Sequence, residues 1–325
     1  MDTIKVHKPV LYSLLLCLLS SCLHSNRSES IPDAKEEVRA DTSGVSQHDH
    51  RPDIPSMMTE PDERANYYVT HYWDRYPVTD TAFVHSDTTE QLYVDFINAL
   101  QYIDATKYRL ALHNMMSHME ADSIAYKHFC SLNEKYLYDP NSPMRNESYY
   151  IPVLEQMLSS RRITAAEKIR PADRLKQTHK NRPGMVAADF SYVTPKNKIG
   201  RVGQINADYT LLFFYDPDCT NCRESEQTLS SIPAFVEMQK RGELQVLAIY
   251  PDEDGKEWLL KSSDMPEGWI VGWNKQGDIR SKQLYEIRAT PALYLLDKHK
   301  KVILKDAPLE QLLQYLSTIR AIRSA

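Results

Sequence analysis

The sequence predicts two folded parts: an α/β domain in its C-terminal half, preceded by an all-α domain. Three observations carry this. Apolar residues recur at helical spacing from about residue 60 to 180. Short, continuous apolar runs follow, at Leu211–Tyr215 and Leu244–Tyr250, as strands buried on both faces require. Lys180-Asn-Arg-Pro-Gly184 lies between these patterns and reads as a boundary.

In the first part Leu92, Phe96, Ala99 and Ile103 share one helical face. Tyr108, Leu112, Met115 and Met119 share a second, and Ala125, Phe129, Leu132 and Tyr136 a third. Asp139-Pro-Asn-Ser-Pro143 breaks the run, and a helix with Tyr150, Leu154 and Met157 follows. Thr164-Ala-Ala-Glu167 has the form of a capping box and should open a fifth helix, which Pro171 would kink or end. The tyrosines and Trp73 fit a core, or alternatively a partner groove. In the second part, Val302–Leu304 reads as a short strand and Pro308–Ile319 as a closing helix. Trp258, Trp269 and Trp273 fall between Asp252 and Leu284, where packing is the default for tryptophan.

The chemistry centres on Cys219-Thr-Asn-Cys222. The pair follows an apolar run and a polar turn, where a helix should begin. Helix N-termini offer unpaired N–H groups and a positive dipole end, and both favour a thiolate. The spacing puts both sulfurs on one helical face within bridging reach. Cys219, at the turn, should be exposed and attack; Cys222, one turn in, should be shielded and resolve. Zinc normally needs four ligands, and no second CxxC or suitably spaced His pair accompanies this one, so no metal site is expected. An inert structural disulfide is the remaining alternative. No cofactor is expected beyond the Cys219–Cys222 disulfide itself. Downstream, Thr290-Pro291 opens the strand-like run Ala292–Asp297. Pro291 is either a trans residue ending the preceding helix or a cis residue; beside a CxxC, cis is the expectation.

Together these two motifs resemble the thioredoxin superfamily over roughly residues 183–325. The resemblance makes the C-terminal domain an α/β thioredoxin-like fold. It implies that Pro291 is the cis proline set against the active-site disulfide, and that Thr290 offers backbone hydrogen bonds to a bound peptide. Ala187-Ala-Asp189-Phe190, and the 72 residues between the motifs, resemble the TlpA/ResA-like branch. Two positions depart from the family pattern. Asp218 stands where a Trp usually precedes the first Cys, and Phe213 where the family has a buried acid, which points away from fast, general thioredoxin activity. Asp216 and Asp218 also place negative charge near Cys219, favouring a reducing or neutral potential over a strongly oxidising one. Asp216 further argues against peroxiredoxin chemistry, which wants Thr at that position.

The first 22 residues read as a secretory signal. Lys5 and Lys8 precede the short apolar stretch Val10–Leu19, too short for an ordinary membrane span. Leu19-Ser20-Ser21-Cys22 resembles a bacterial lipobox, which implies cleavage before Cys22 and its lipidation; an ordinary signal peptide is the alternative. The resulting organisation is 1–22 leader, 23–58 disordered tether, 59–181 helical domain and 182–325 thioredoxin-like domain. The tether is polar and contains His48-Asp49-His50, read as solvated linker. Of five cysteines, only Cys130 has no assigned role; it reads as a small buried hydrophobe. Asn66–Asp74 and Glu134–Pro143 resemble the domain of unknown function that precedes thioredoxin-like domains in Bacteroidetes-type lipoproteins.

Net charge is −5, which gives no support for nucleic-acid binding. Phosphate-loop, metalloprotease and serine-hydrolase motifs are missing from the sequence. The sequence therefore predicts a lipid-anchored thiol–disulfide oxidoreductase of the cell envelope, facing the periplasm and working reductively. Its expected partners are disulfide-containing envelope proteins, a membrane thiol electron donor and the lipid bilayer at Cys22. The alternative is a binding or scaffolding lipoprotein in which the helical domain acts and the disulfide is structural.

Overall fold

The computed structural model describes residues 50–324. The leader, Cys17, the lipobox with Cys22, and the tether as far as His48 and Asp49 lie outside the described residues. Among the described residues no helix is long and apolar enough to cross a membrane.

The helical half begins earlier than its composition suggests. Residues 50–58, assigned above to the tether, are held against it: the His50 ring packs edge-on to Phe83, and Asp53 pairs with Arg75 at 2.9 Å. Composition misses such contacts because they depend on single polar and ring partners rather than on apolar content. The helices are α1 (Pro61–Thr70), α2 (Thr81–Val84), α3 (Asp87–Ala99), α4 (Ala105–Met119), α5 (Ser123–Asn133), α6 (Glu147–Ser159) and α7 (Ile169–Thr178). Local chemistry sets most of their starts. Pro61 opens α1 at a position where its missing N–H costs nothing. Asp80, Ser86, Asp104, Asp122 and Asn146 accept the first free amides of α2 to α6. The α5 helix runs on into a π-helical turn, Glu134–Tyr138.

The apolar faces meet in one aromatic core. Trp73 lies 5.1–5.4 Å from the rings of Tyr72, Tyr76, Phe96 and Phe129. Tyr72, Trp73 and Tyr76 are buried, so these residues build the core rather than a groove. Cys130 is a free cysteine at the edge of that core, and burial pushes its thiol up to about 12. The Thr164–Glu167 box forms, with Thr164 N–H donating to Glu167 at 2.7 Å and Glu167 N–H to Thr164 at 3.2 Å. It closes a separate turn, however, and α7 starts only at Ile169. Pro171 sits in the first turn of α7, where its missing N–H breaks no helical bond, so it neither kinks nor ends the helix.

The C-terminal half is a seven-stranded sheet in the order β2-β1-β5-β4-β3-β6-β7. Its strands are β1 (Ser191–Val193), β2 (Ile199–Arg201), β3 (Tyr209–Phe214), β4 (Leu244–Tyr250), β5 (Ile270–Trp273), β6 (Ala292–Asp297) and β7 (Val302–Leu304). The β3, β4 and β5 strands are parallel, while β6 runs antiparallel to β3. Helices α8 (Thr220–Ser231), α9 (Pro233–Lys240), α10 (Gly255–Lys261), α11 (Asp278–Ser281) and α12 (Leu309–Ser324) complete it; α12 runs past the expected Ile319. Strand alternation divides the core. Leu211, Phe213, Val246 and Leu293 pack with Cys222, Leu229, Phe235 and Leu312, while Leu212, Phe214, Leu247 and Tyr294 pack with Phe190 and Tyr285. Both faces of β3 and β4 are covered, which is why their sequences are apolar without interruption. Trp258 and Trp269 are buried as well.

The segment joining the halves is tied down on both sides. Asn181 is buried, accepts from Ala188 N–H at 2.9 Å and donates to Leu284 O at 2.8 Å. Gly184 N–H donates to Val302 O at 2.8 Å, so the segment runs on as a partner of the sheet edge.

Candidate functional site

The site stands where the central strand β3 hands over to α8. Buried Phe213 and Phe214 end the strand, and Tyr215–Asp218 form the turn. Asp216 shapes that turn: its side chain accepts from Asp218 N–H at 2.8 Å, and its carbonyl from Cys219 N–H at 3.1 Å. Cys219 is the N-cap of α8, and the Cys222 amide donates to Cys219 Sγ at 3.1 Å. A helix start that would otherwise present a free N–H presents it to sulfur.

Cys219 and Cys222 form a disulfide with Cα atoms 5.2 Å apart. Cys219 is partly exposed; Cys222 is only 1% exposed and belongs to the core packed on the Phe213 face. The Thr290–Pro291 peptide is cis, and Thr290 O lies 3.3 Å from Cys219 Sγ. Sheet register explains how motifs 72 residues apart meet. Phe214, the last residue of β3, pairs with Ala292, the first of β6. The chain just after β3 and the chain just before β6 therefore emerge side by side.

Two features near the disulfide were not read from the sequence. Lys261, at the end of α10, forms an ion pair with Asp218 and a second with Glu257 at 3.1 Å. The Lys261 ammonium beside Asp218 holds its carboxyl below the usual range. Part of the negative charge expected to face Cys219 is thus neutralised. The Glu257/Lys261 spacing of four marks a helical pair, but only the fold brings it to Asp218. Glu226 lies one turn beyond Cys222 on the α8 face that also carries Leu229, and it is half-buried. Burial pushes its carboxyl up to about 7, against the opposing pull of Arg223. Its position four residues after Cys222 is visible in sequence; its partial burial is not. Among the described residues no group of three or more His, Cys, Asp or Glu is arranged to hold a metal ion.

Comparison with known proteins follows this division. Residues 22–181 match the model of a domain of unknown function, DUF5106. No curated protein matches the chain. The crystal structure of a thioredoxin-like protein from Bacteroides caccae is similar over 82% of this chain and 97% of its own, at 40% identity and a TM-score of 0.79. A conserved protein of unknown function from Bacteroides fragilis is 61% identical over 42% of this chain and 98% of its own, with a TM-score of 0.41. The thioredoxin domain of a thiol-disulfide oxidoreductase from Bacteroides vulgatus matches 42% of this chain and 98% of its own at 16% identity and a TM-score of 0.37. With a helical first part, a thioredoxin-like second part and a relative of this identity matched almost end to end, the chain belongs to the family of thioredoxin-like proteins that the Bacteroides caccae structure represents.

Proposed function

We propose that the protein is a thiol–disulfide oxidoreductase of the cell envelope, lipid-anchored through Cys22 and working in the reductive direction. The observation that carries this is the disulfide at the start of α8, with its more exposed sulfur, Cys219, beside the Thr290–Pro291 peptide. A redox pair needs one sulfur reachable by a substrate and one protected from it, and the burial of Cys222 supplies the protection.

In the reduced protein the Cys219 thiolate attacks one sulfur of a substrate disulfide. That S–S bond breaks, a Cys219–substrate disulfide forms, and the departing substrate thiolate takes a proton from solvent. Cys222 then loses its proton and attacks Cys219 Sγ. The mixed disulfide breaks, the second substrate thiol leaves, and the Cys219–Cys222 disulfide forms. Two electrons have passed to the substrate. A membrane dithiol restores the pair by the same exchange in reverse, itself becoming a disulfide. The α8 N-terminus and the Cys222 amide favour the Cys219 thiolate. Glu226, four residues after Cys222 on α8 and with its carboxyl raised toward neutral pH by burial, is our candidate to receive the Cys222 proton, since Phe213 offers no acid. Thr290 lends its backbone to the substrate peptide. The opening hairpin β1–β2 supports a TlpA/ResA-like affinity.

Replacing Cys222 by Ser tests the scheme, because it removes resolution and leaves attack. Incubated with a disulfide-bonded envelope extract or peptide, Cys222→Ser should accumulate a Cys219 mixed disulfide visible by mass, while Cys219→Ser should accumulate none. Equilibration of the wild-type pair with glutathione should give a potential between about −200 and −300 mV. A bridge that stays oxidised well below about −300 mV, with no trapped species, would instead mark a structural disulfide and a scaffolding lipoprotein.

A further inference from the structure

We infer that the helical half serves as a positioning element for the substrate-docking loop, and that Tyr138 is the positioning residue that transmits it. The inference rests on the oxidoreductase reading above and assigns the helical half a part in it.

The loop is the stretch from Leu284 to Thr290, between α11 and β6. It has neither helix nor strand, so no backbone ladder sets its path. Within its own half it is tied by Tyr285 Oη donating to Ala188 O at 2.6 Å and by Tyr294 Oη donating to Glu286 O at 3.0 Å. Arg280 donates to Ile287 O at 3.2 Å. Arg288 also donates to Asp306 Oδ2 at 2.6 Å within its own half, but none of these bonds reaches the side chain of Glu286; Glu286 and Arg288 are the two long residues just before Thr290.

The helical half touches both and is the hold on Glu286. Tyr138, last residue of the π-helical turn, donates its hydroxyl to Glu286 Oε1 at 2.6 Å. Its carbonyl accepts from Arg288, whose guanidinium also lies 4.5 Å from the Tyr138 ring centroid. The guanidinium of Arg174, from α7, lies 4.3 Å from the same centroid and orients the ring from its own side of the boundary. Glu286 Oε2 and Arg288 Nε are buried without partners, so the Glu286 side chain depends on its bond to Tyr138, while Arg288 shares its hold between Tyr138 and Asp306. Upstream, Asn181 donates to Leu284 O at 2.8 Å, fixing where the loop begins. Two residues past Arg288, Thr290 O lies beside Cys219 Sγ. A single tyrosine of the helical half thus holds Glu286 and helps to hold Arg288, in the loop whose last residues face the disulfide.

The test uses full-length protein with Tyr138→Phe, which removes only the hydroxyl, and Tyr138→Ala, which removes the ring. Two readouts separate the claims. The first is hydrogen exchange of the amides from Glu286 to Thr290. Exchange should speed up in Tyr138→Ala and by a smaller factor in Tyr138→Phe, with the amides of β3 and β4 unchanged. The second is reduction of a disulfide-bonded peptide beside reduction of a small aromatic disulfide that needs the Cys219–Cys222 pair but not the docking loop. Tyr138→Ala should raise KM for the peptide about five- to tenfold, the lower range of a typical coupling between sites, and leave the aromatic disulfide unaffected. Unchanged amide exchange in both variants, or a peptide KM equal to wild type, would overturn the positioning role. Wild-type protein inert toward both disulfides would overturn the oxidoreductase reading and the docking role with it. If Tyr138→Ala does not fold, Tyr138→Phe and Glu286→Gln, each weakening the one bond, carry the same comparison.

Discussion

Replacing Arg288 by Met should destabilise the protein out of proportion to the contacts it removes. Arg288 donates to Asp306 Oδ2 at 2.6 Å, with the two side chains only 10% and 7% exposed. Methionine keeps most of the volume and removes the charge, so the main effect is to leave the Asp306 carboxylate buried without its closest cation. Removing one partner of a buried pair costs about 3–5 kcal/mol. Here Arg145 remains, 4.0 Å from Asp306 Oδ2, and that partial compensation puts the expectation at the lower end, about 3 kcal/mol. With a urea dependence of about 3 kcal/mol per M, the midpoint should fall by about 1 M. Urea melts followed by far-ultraviolet dichroism and by tryptophan fluorescence should give the same shift. Adding Asp306→Asn removes the stranded charge, so the double variant should recover much of the loss. A cost for Arg288→Met below about 1 kcal/mol, or a double variant whose cost is the sum of the singles, would show that the pair is effectively hydrated and refute the argument.

A pH effect should come from Glu147, whose carboxyl burial pushes up to about 7 despite an ion pair with Lys305 at 2.8 Å. The folded state then holds a proton that the unfolded chain releases near pH 4.3, so stability should fall as pH rises from about 4.3 to about 7. Glu147→Gln should flatten that part of the urea-midpoint profile; an unchanged slope would remove Glu147 as its source. In the helical core, Phe129→Ala should cost about 3–5 kcal/mol, because Phe129 is fully buried against Trp73, Tyr76 and Tyr93. A melting temperature within a degree or two of wild type would show that the core refills the space.

What was legible in the sequence was what rests on short-range pattern. The faces carrying Leu92 and Phe96, or Leu112 and Met115, are repeated locally, and so are the uninterrupted runs of β3 and β4. The meeting of Cys219 with Thr290 was legible at one remove, because two apolar runs flanking the motifs pair in register. The junction between the halves was not legible. Tyr138 meets Glu286 and Arg145 meets Asp306 across 148 and 161 residues of sequence. Each of those residues, read alone, is an ordinary polar side chain with no periodic signal. The early ordering of residues 50–58 escaped for the same reason, and so did the late start of α7: a capping box specifies a first turn, and Thr164 caps one that α7 does not continue directly.

The charge around Cys219 shows how such a local reading shifts when partners are supplied. Asp216 and Asp218, taken alone, oppose a thiolate at Cys219 and would make the disulfide harder to reduce. In the fold Asp216 turns its carboxylate to the Asp218 amide, and Asp218 is paired with Lys261. Both members of that pair are substantially exposed, so their fields at Cys219 are weak, opposite in sign and screened alike by salt. What remains at the sulfur is the short-range set: the Cys222 amide at 3.1 Å and the start of α8 on one side, the Thr290 carbonyl oxygen at 3.3 Å on the other. The amide and the helix start favour the thiolate, and hence the reduced protein, while the carbonyl oxygen opposes it. The aspartates therefore do not by themselves argue for a low potential. Under the proposed function, a reductive role in an oxidising compartment then rests on electron supply: if the protein is held at a membrane through Cys22 as proposed, it stays reduced only if a membrane dithiol reaches Cys219 as readily as its substrates do.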